Sequence, residues 1–266
     1  MKERILSNLT TECPWRDTLY WYPSISSTNN RAKELAAQGA PQGTVLIAGR
    51  QTEGRGRMGR SFHSPEGLGL YLSLILRPRC TPDKLMHLTC AAAVAACLAI
   101  EDTTGYAPGI KWTNDLVAGT QKLGGILTEM TLDSKTGLVE TAVVGIGINC
   151  RHTRADFPPE LQNMATSLLS VTGQAPDLPR LAAAMVNRLW QMDLGLQSQK
   201  PQTMATYRKR CITLGKPVVL LRQETRRYAT AVDLTDDGGL IVRFDDGRTE
   251  TVTSGEVSVR GMYGYV

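Results

Sequence analysis

The chain is poor in the residues on which most nucleophilic and metal centres depend. Its 266 residues include three histidines, His63, His87 and His152, and no spacing among them suggests a Ser/His/Asp triad or a metal cage. No Walker A sequence is present, which excludes a P-loop at the level of motif. The double-glycine run Val144-Gly145-Ile146-Gly147-Ile148-Asn149 is not the dinucleotide fingerprint, which needs Gly-x-Gly-x-x-Gly opening a helix. Six cysteines (Cys13, Cys80, Cys90, Cys97, Cys150, Cys211) contain no Cys-x-x-Cys pair, and Cys90 and Cys97 flank an alanine-rich run. That pattern argues for free core thiols and against a disulfide framework or a zinc site. The N-terminus is polar where a signal peptide would be apolar, and no run is expected to approach a membrane span. A cytoplasmic protein is therefore expected. Its net charge of +5 is too mild to predict a polyanionic polymer as partner.

What the chain does have is a segment of three glycines and three arginines in seven positions, Gly54-Arg55-Gly56-Arg57-Met58-Gly59-Arg60. Glycine lets a backbone bend tightly and approach a ligand, and arginine offers a planar fork suited to phosphate and carboxylate oxygens. Such a loop can close over a polyanion. Short Arg/Gly runs also serve as solvated loops or RNA-binding segments, so the loop alone leaves both readings open.

With 42% hydrophobic and 21% charged residues, the chain reads as globular, and its length allows one large domain and one small one. Strands are expected over 19–25, 44–48, 70–76, 124–130 and 139–148, with a turn at 134–137 joining the last two. Residues 26–29 can cap a helix that runs to Ala37, with Gly39 placed to end it. Pro82 marks the start of a mostly apolar, buried helix reaching about Ala99. Another helix over 179–196 carries Leu181, Met185, Leu189 and Met192 on one face. After Cys211 only short alternating strands follow, over 218–222, 228–233, 240–244, 249–253 and 257–260, separated by Asp/Gly turns. They predict a small closed barrel that leans on its neighbour, with domains of 1–213 and 214–266.

Four further segments bear on chemistry. Ser27-Thr28-Asn29 offers two hydroxyls and an amide at a helix N-terminus, either for a small polar ligand or as a plain cap. Lys111-Trp112-Thr113-Asn114-Asp115 reads as a polar turn with its tryptophan in the core. Lys122 stands just ahead of the pair Gly124-Gly125, which would let a ligand or another backbone approach the strand. The glycines at 145 and 147 fit a strand along which a flat ligand lies. With no protein nucleophile in view, positioning and positive charge remain, as phosphoryl or nucleotidyl transfer requires.

Taken together, Ser26-Ser27-Thr28-Asn29, the run from Gln51 to Arg60, Ser64-Pro65, the run from Lys111 to Asp115, the run from Lys122 to Leu127 and the run from Gly145 to Asn149 resemble the biotin protein ligases, in order and over essentially the whole chain. The resemblance implies an α+β fold: a mixed or antiparallel central sheet with flanking helices, like a class II aminoacyl-tRNA synthetase, plus a small C-terminal SH3-like β-barrel. It implies that biotin and ATP, carried as its Mg2+ complex, give biotinyl-5′-AMP, and that biotin then passes to a lysine of a biotin carboxyl carrier domain in a carboxylase. Matched position by position, Lys122 and Arg57 are the catalytic candidates. Ser27, Thr28, Asn29, Gln51, Arg55, Gly56, Arg57 and Lys122 would contact biotin, with Ser27, Thr28 and Gln51 at the ureido ring. Arg57, Arg60, Asn114, Lys122 and Asn149 would serve the nucleotide. No protein metal ligand is assigned and no tightly bound metal is expected. Phe62 stands where some relatives have tryptophan, and Thr113 replaces a proline common in that motif. Fewer than twenty residues precede the first expected strand, too few for an operator-binding helix-turn-helix. No sequence-specific DNA and no membrane are expected as partners, and a homodimer is open. A lipoate ligase or octanoyltransferase is the nearest alternative, and an RNA-binding module a more distant one.

Overall fold

The alternation of side chains along the strands decides the architecture. The computed structural model describes residues 1–222, 225–253 and 256–259. Among these, β1 (Leu19–Tyr22), β2 (Thr44–Ala48), β3 (Gly69–Leu76), β4 (Gly109–Lys111), β5 (Asp115–Ala118), β6 (Gln121–Leu132) and β7 (Val139–Asn149) form one sheet in the order β1-β2-β3-β7-β6-β5-β4. β1 and β2 are parallel and the other neighbours antiparallel, so the sheet is mixed. The helices are α1 (Lys2–Leu6), α2 (Thr28–Ala37), α3 (Leu88–Thr104), α4 (Leu168–Thr172), α5 (Leu178–Gly195) and α6 (Lys200–Arg210).

Leu70, Leu72, Leu74 and Leu76 of β3 face the same way as Ala142, Val144, Ile146 and Ile148 of β7, into a core shared with α3 and α5. The intervening residues face α2, where Ile75 and Val143 pack with Leu46, Ala32 and Ala36. Beyond this small cluster the α2 face turns polar, and the candidate site begins there. The alanine run of α3 lets it lie close on the sheet.

Several elements differ from expectation. Pro82 opens a short 3-10 turn, Pro82–Leu85, and α3 starts only at Leu88. It then runs past Ala99 to Thr104, where Gly105 takes the left-handed conformation (φ 72°) that ends it. Contrary to the expectation that no run approaches a membrane span, Pro82–Thr104 is long and apolar enough to cross one. Its apolarity is explained by position: it is the central core helix, with most of its side chains buried against the sheet and α5. The polar turn expected over 111–115 is present at Trp112-Thr113-Asn114 with Trp112 buried, but it joins two short strands, β4 and β5, that have no counterpart in the expected elements, and neither does α6.

The C-terminal strands β8 (Pro217–Arg222), β9 (Thr225–Leu234), β10 (Leu240–Arg243), β11 (Thr249–Val252) and β12 (Glu256–Val259) form an antiparallel sheet in the order β11-β10-β9-β8-β12. β12 returns to pair with β8, the first strand of the set, giving the SH3-like arrangement. Arg260, expected in that last strand, lies outside the described residues. The small sheet leans on the large one: Leu234, Leu240 and Val242 join the same apolar core as α3 and α5. Trp112 Nε1 donates to the Gly238 carbonyl at 2.7 Å, and the Trp112 amide donates to Thr213 Oγ1 at 2.9 Å.

Candidate active site

The floor of the site is set by two missing side chains. On the α2 face, Gly145 and Gly147 follow Val143 at the spacing of two that keeps a strand's residues on one side. A Cβ on Gly145 would stand 2.0 Å from Asn29 Oδ1, and one on Gly147 would stand 2.6 Å from the Phe62 ring. The strand expected to run along a flat ligand thus first makes room for Asn29 and Phe62.

The N-terminus of α2 meets this floor through a buried polar chain. Ser27 caps the helix, accepting from the Asn30 amide at 3.4 Å. Gln51 Oε1 accepts from the Thr28 amide (2.8 Å) and from Thr28 Oγ1 (3.0 Å), while Gln51 Nε2 donates to Ser64 Oγ at 3.0 Å. Ser73 Oγ lies 2.8 Å from Thr28 Oγ1 and 2.6 Å from Asn29 Oδ1. Asn29 Nδ2 donates to Glu129 Oε2 at 3.1 Å. Each member is satisfied by the next, which is what holds polar groups rigidly in a buried place. Burial pushes the Glu129 carboxyl up, but hydrogen bonds from Lys33 and Asn29 and the charges of Lys33 and Arg55 more than reverse this, leaving it below the usual glutamate range.

The Gly/Arg loop closes the cleft from above. Phe62 N donates to the Gly54 carbonyl (2.8 Å) and Gly56 N to the Arg60 carbonyl (2.7 Å), so the segment folds back on itself. Met58 and Gly59 turn it with φ of 55° and 74°. Arg55 Nη1 reaches Asn30 Oδ1 (2.8 Å) and Glu129 Oε1 (3.3 Å), and Arg57 Nη1 donates to Asn114 Oδ1 at 2.8 Å. Opposite, Lys122 Nζ pairs with Asp115 Oδ1 at 2.6 Å. Its backbone is clamped by a segment of no regular structure: Lys122 N donates to Met164 O (2.8 Å) and Thr166 N to Lys122 O (2.9 Å).

The residues expected to hold biotin all line one cleft: Ser27, Thr28, Asn29 and Gln51 on one side, Arg55, Gly56 and Arg57 from the loop, and Lys122 across from them. Of the nucleotide candidates, Asn114 also lines it. Arg60 lies on the exposed outer part of the loop, and Asn149 is buried beneath, donating to Thr166 O at 3.0 Å. About 50 Å³ is open in the cleft, with the Arg57 and Phe62 side chains among its walls.

Residues 21–149 match the model of the biotin/lipoate A/B protein ligase family, and residues 213–260 that of the biotin protein ligase C-terminal domain. A biotin–[acetyl-CoA-carboxylase] ligase of Mycobacterium tuberculosis is 35% identical over 237 residues, covering 87% of this chain and 85% of its own. The chain belongs to the biotin protein ligase family. The bifunctional ligase/repressor of Bacillus subtilis is 43% identical over 176 residues, which are 66% of this chain and 53% of that protein, so the chain spans about half the length of that relative. Among solved biotin protein ligases, that of Aquifex aeolicus in complex with biotin and ATP superposes with a TM-score of 0.76 at 30% identity, covering 91% of this chain and 98% of that one.

Three members of the site were not singled out by motif reading. Ser73 is the one polar residue of an otherwise apolar strand, and strand parity places it beside Ile75 on the α2 face. Glu129 shares its parity on β6 with Gly125 and Leu127, which line the cleft. Asp115 stood in a motif as a turn residue, and only the β5–β6 pairing, which sets Asp115 opposite Gly125, brings it to Lys122.

Proposed function

We propose that this chain is a biotin protein ligase that activates biotin with ATP and transfers it to a carrier lysine. The observation that carries this reading is the convergence of Arg55, Arg57 and Lys122 on a cleft whose opposite wall is an uncharged hydrogen-bonding cradle. A ligand with a polar, neutral ring and an anionic tail fits that division.

In the first step the biotin carboxylate oxygen attacks the α-phosphorus of ATP, and pyrophosphate leaves with the bonding electrons. Two unit negative charges at 4 Å repel by about 4 kcal/mol at an effective dielectric of 20, and fixed cations must cancel this. Lys122 serves as the principal one, held until then by Asp115, and Arg57 as the second, held by Asn114. Magnesium travels with the triphosphate as part of the substrate. In the second step a carrier lysine amine attacks the acyl carbonyl and AMP departs. Thr28 and Gln51 serve the ureido ring, with Ser27 at the helix cap. The loop 54–60 acts as a lid that keeps water from the mixed anhydride. The partner is a biotin carboxyl carrier domain of a biotin-dependent carboxylase, the compartment the cytoplasm, and the division of labour is a catalytic part over 1–213 with the SH3-like part over 214–266.

Biotin-dependent exchange of pyrophosphate into ATP tests the first step. Exchange with biotin and none with lipoate is expected. Lipoyl-AMP formation without biotinyl-AMP would replace this reading with a lipoate ligase, and salt-sensitive RNA binding without exchange would replace it with an RNA-binding role.

A further inference from the structure

A second cavity, of about 430 Å³, lies where the start of α3 and the strand β6 meet the C-terminal sheet. It is the size of a small-molecule site. Arg57 and Ile126 line both this cavity and the cleft, so the two spaces adjoin across those side chains. Half of its lining residues are threonines: Thr89 and Thr128, whose hydroxyl oxygens lie 3.0 Å apart, face Thr251 and Thr253 of the C-terminal part. Asp237 supplies a carboxylate, half exposed, that is ion-paired to Lys200 through one oxygen. Among the described lining residues, Arg57 is the one cation, and it stands at the cleft end.

We infer that this cavity is the passage through which the acceptor lysine reaches the activated acyl group, an inference that rests on the ligase reading above. Chemistry of the walls selects the occupant. A lysine side chain is four methylenes ending in an ammonium, and threonine offers a methyl and a hydroxyl together, matching both parts. Asp237, whose second oxygen is not engaged by Lys200, favours an approaching cation. The lid over the cleft blocks the other side, and the second reactant needs a separate way in. Within the passage the ammonium gives one proton to water. The free amine nitrogen then forms its bond to the acyl carbon, the carbon–oxygen bond to phosphate breaks, AMP leaves with that electron pair, and the nitrogen's second proton goes to water as the amide forms.

Thr251→Trp fills the passage from an exposed strand, and Asp237→Asn removes charge without changing shape. Three rates separate the possibilities: biotin-dependent pyrophosphate exchange, transfer to an apo biotin carboxyl carrier domain, and reaction of preformed biotinyl-AMP with hydroxylamine, which is small enough to need no passage. For Thr251→Trp, carrier transfer is expected to fall about tenfold or more while exchange and the hydroxylamine reaction stay within about twofold. For Asp237→Asn, a rise of about threefold in KM for the carrier is expected with exchange unchanged. Exchange falling in step with transfer would assign the cavity to the nucleotide and overturn the inference. Unchanged carrier transfer in both variants, with unchanged melting, would overturn it as well. Wild-type protein lacking biotin-dependent exchange would instead remove the ligase reading itself.

Discussion

The two faces of the central sheet are built from the same strands and do opposite work. On the α3–α5 face, β3 and β7 present Leu70, Leu72, Leu74, Leu76, Val144, Ile146 and Ile148, all buried in one apolar core. On the α2 face the alternate positions of the same strands hold Ser73, Gly145 and Gly147, and the space goes to Asn29, Phe62 and a hydrogen-bonded chain through Thr28 and Gln51. One residue of register separates stability from chemistry, since a slip by one exchanges the faces.

This separation can be broken in graded ways. The largest effect on chemistry should come from Lys122→Ala at the mouth of the polar face. Biotin-dependent pyrophosphate exchange should fall about 10²–10³-fold, the usual loss when one fixed charge-stabilising group is removed. The side chain is 35% exposed, so stability should change by only about 0–1 kcal/mol. Exchange near wild type would remove Lys122 from the mechanism. On the other face, Leu74→Ala should cost about 2–5 kcal/mol in denaturant unfolding and leave the biotin affinity of the folded fraction unchanged. A shift in affinity equal to the stability loss would show that the faces are not independent. Gly145→Ala should give the smallest effect and the most informative one. Its methyl would collide with Asn29, costing about 1–3 kcal/mol of strain and weakening biotin binding measurably by calorimetry. Loss of stability with intact binding would mean that Asn29 serves packing alone.

How much of this was legible beforehand follows the length of each pattern. β2, β3 and β7 announce themselves through apolar runs, and α2 through Ser27 and the glycine after its end, because each signal spans a whole element. β4 and β5 have three and four residues, too few for a period of two to register, so the sequence shows the turn at 112–114 and not the strands on either side of it. α6 lacks an apolar stripe, burying only Met204 and Tyr207, and its helicity comes from packing on α3. Of the cleft-lining residues, Ser27, Thr28, Asn29, Arg55, Gly56, Arg57 and Lys122 were conspicuous in short motifs, and Gln51 was placed only by the family resemblance. Glu129 and Ser73 were not, since their roles exist only through strand pairing. Asn149 illustrates the converse: its motif position is plain, yet its amide in the fold is spent on Thr166 and the support of Lys122.

The hydrogen bond from Trp112 to the Gly238 carbonyl has a further consequence for cooperativity. Gly238 sits so near Cys90 that a Cβ there would be 2.6 Å from its sulfur, and β9 and β10 on either side of this turn share the apolar core of α3. The small sheet therefore cannot peel away as an independent foldon. Opening it withdraws the partner of Trp112, which is next to Lys111 and two residues before Asn114, and uncovers the hydrophobic flank of α3 in the same event. Loss of the C-terminal sheet would reach Lys122 through its partner Asp115 before any strand of the large sheet came apart.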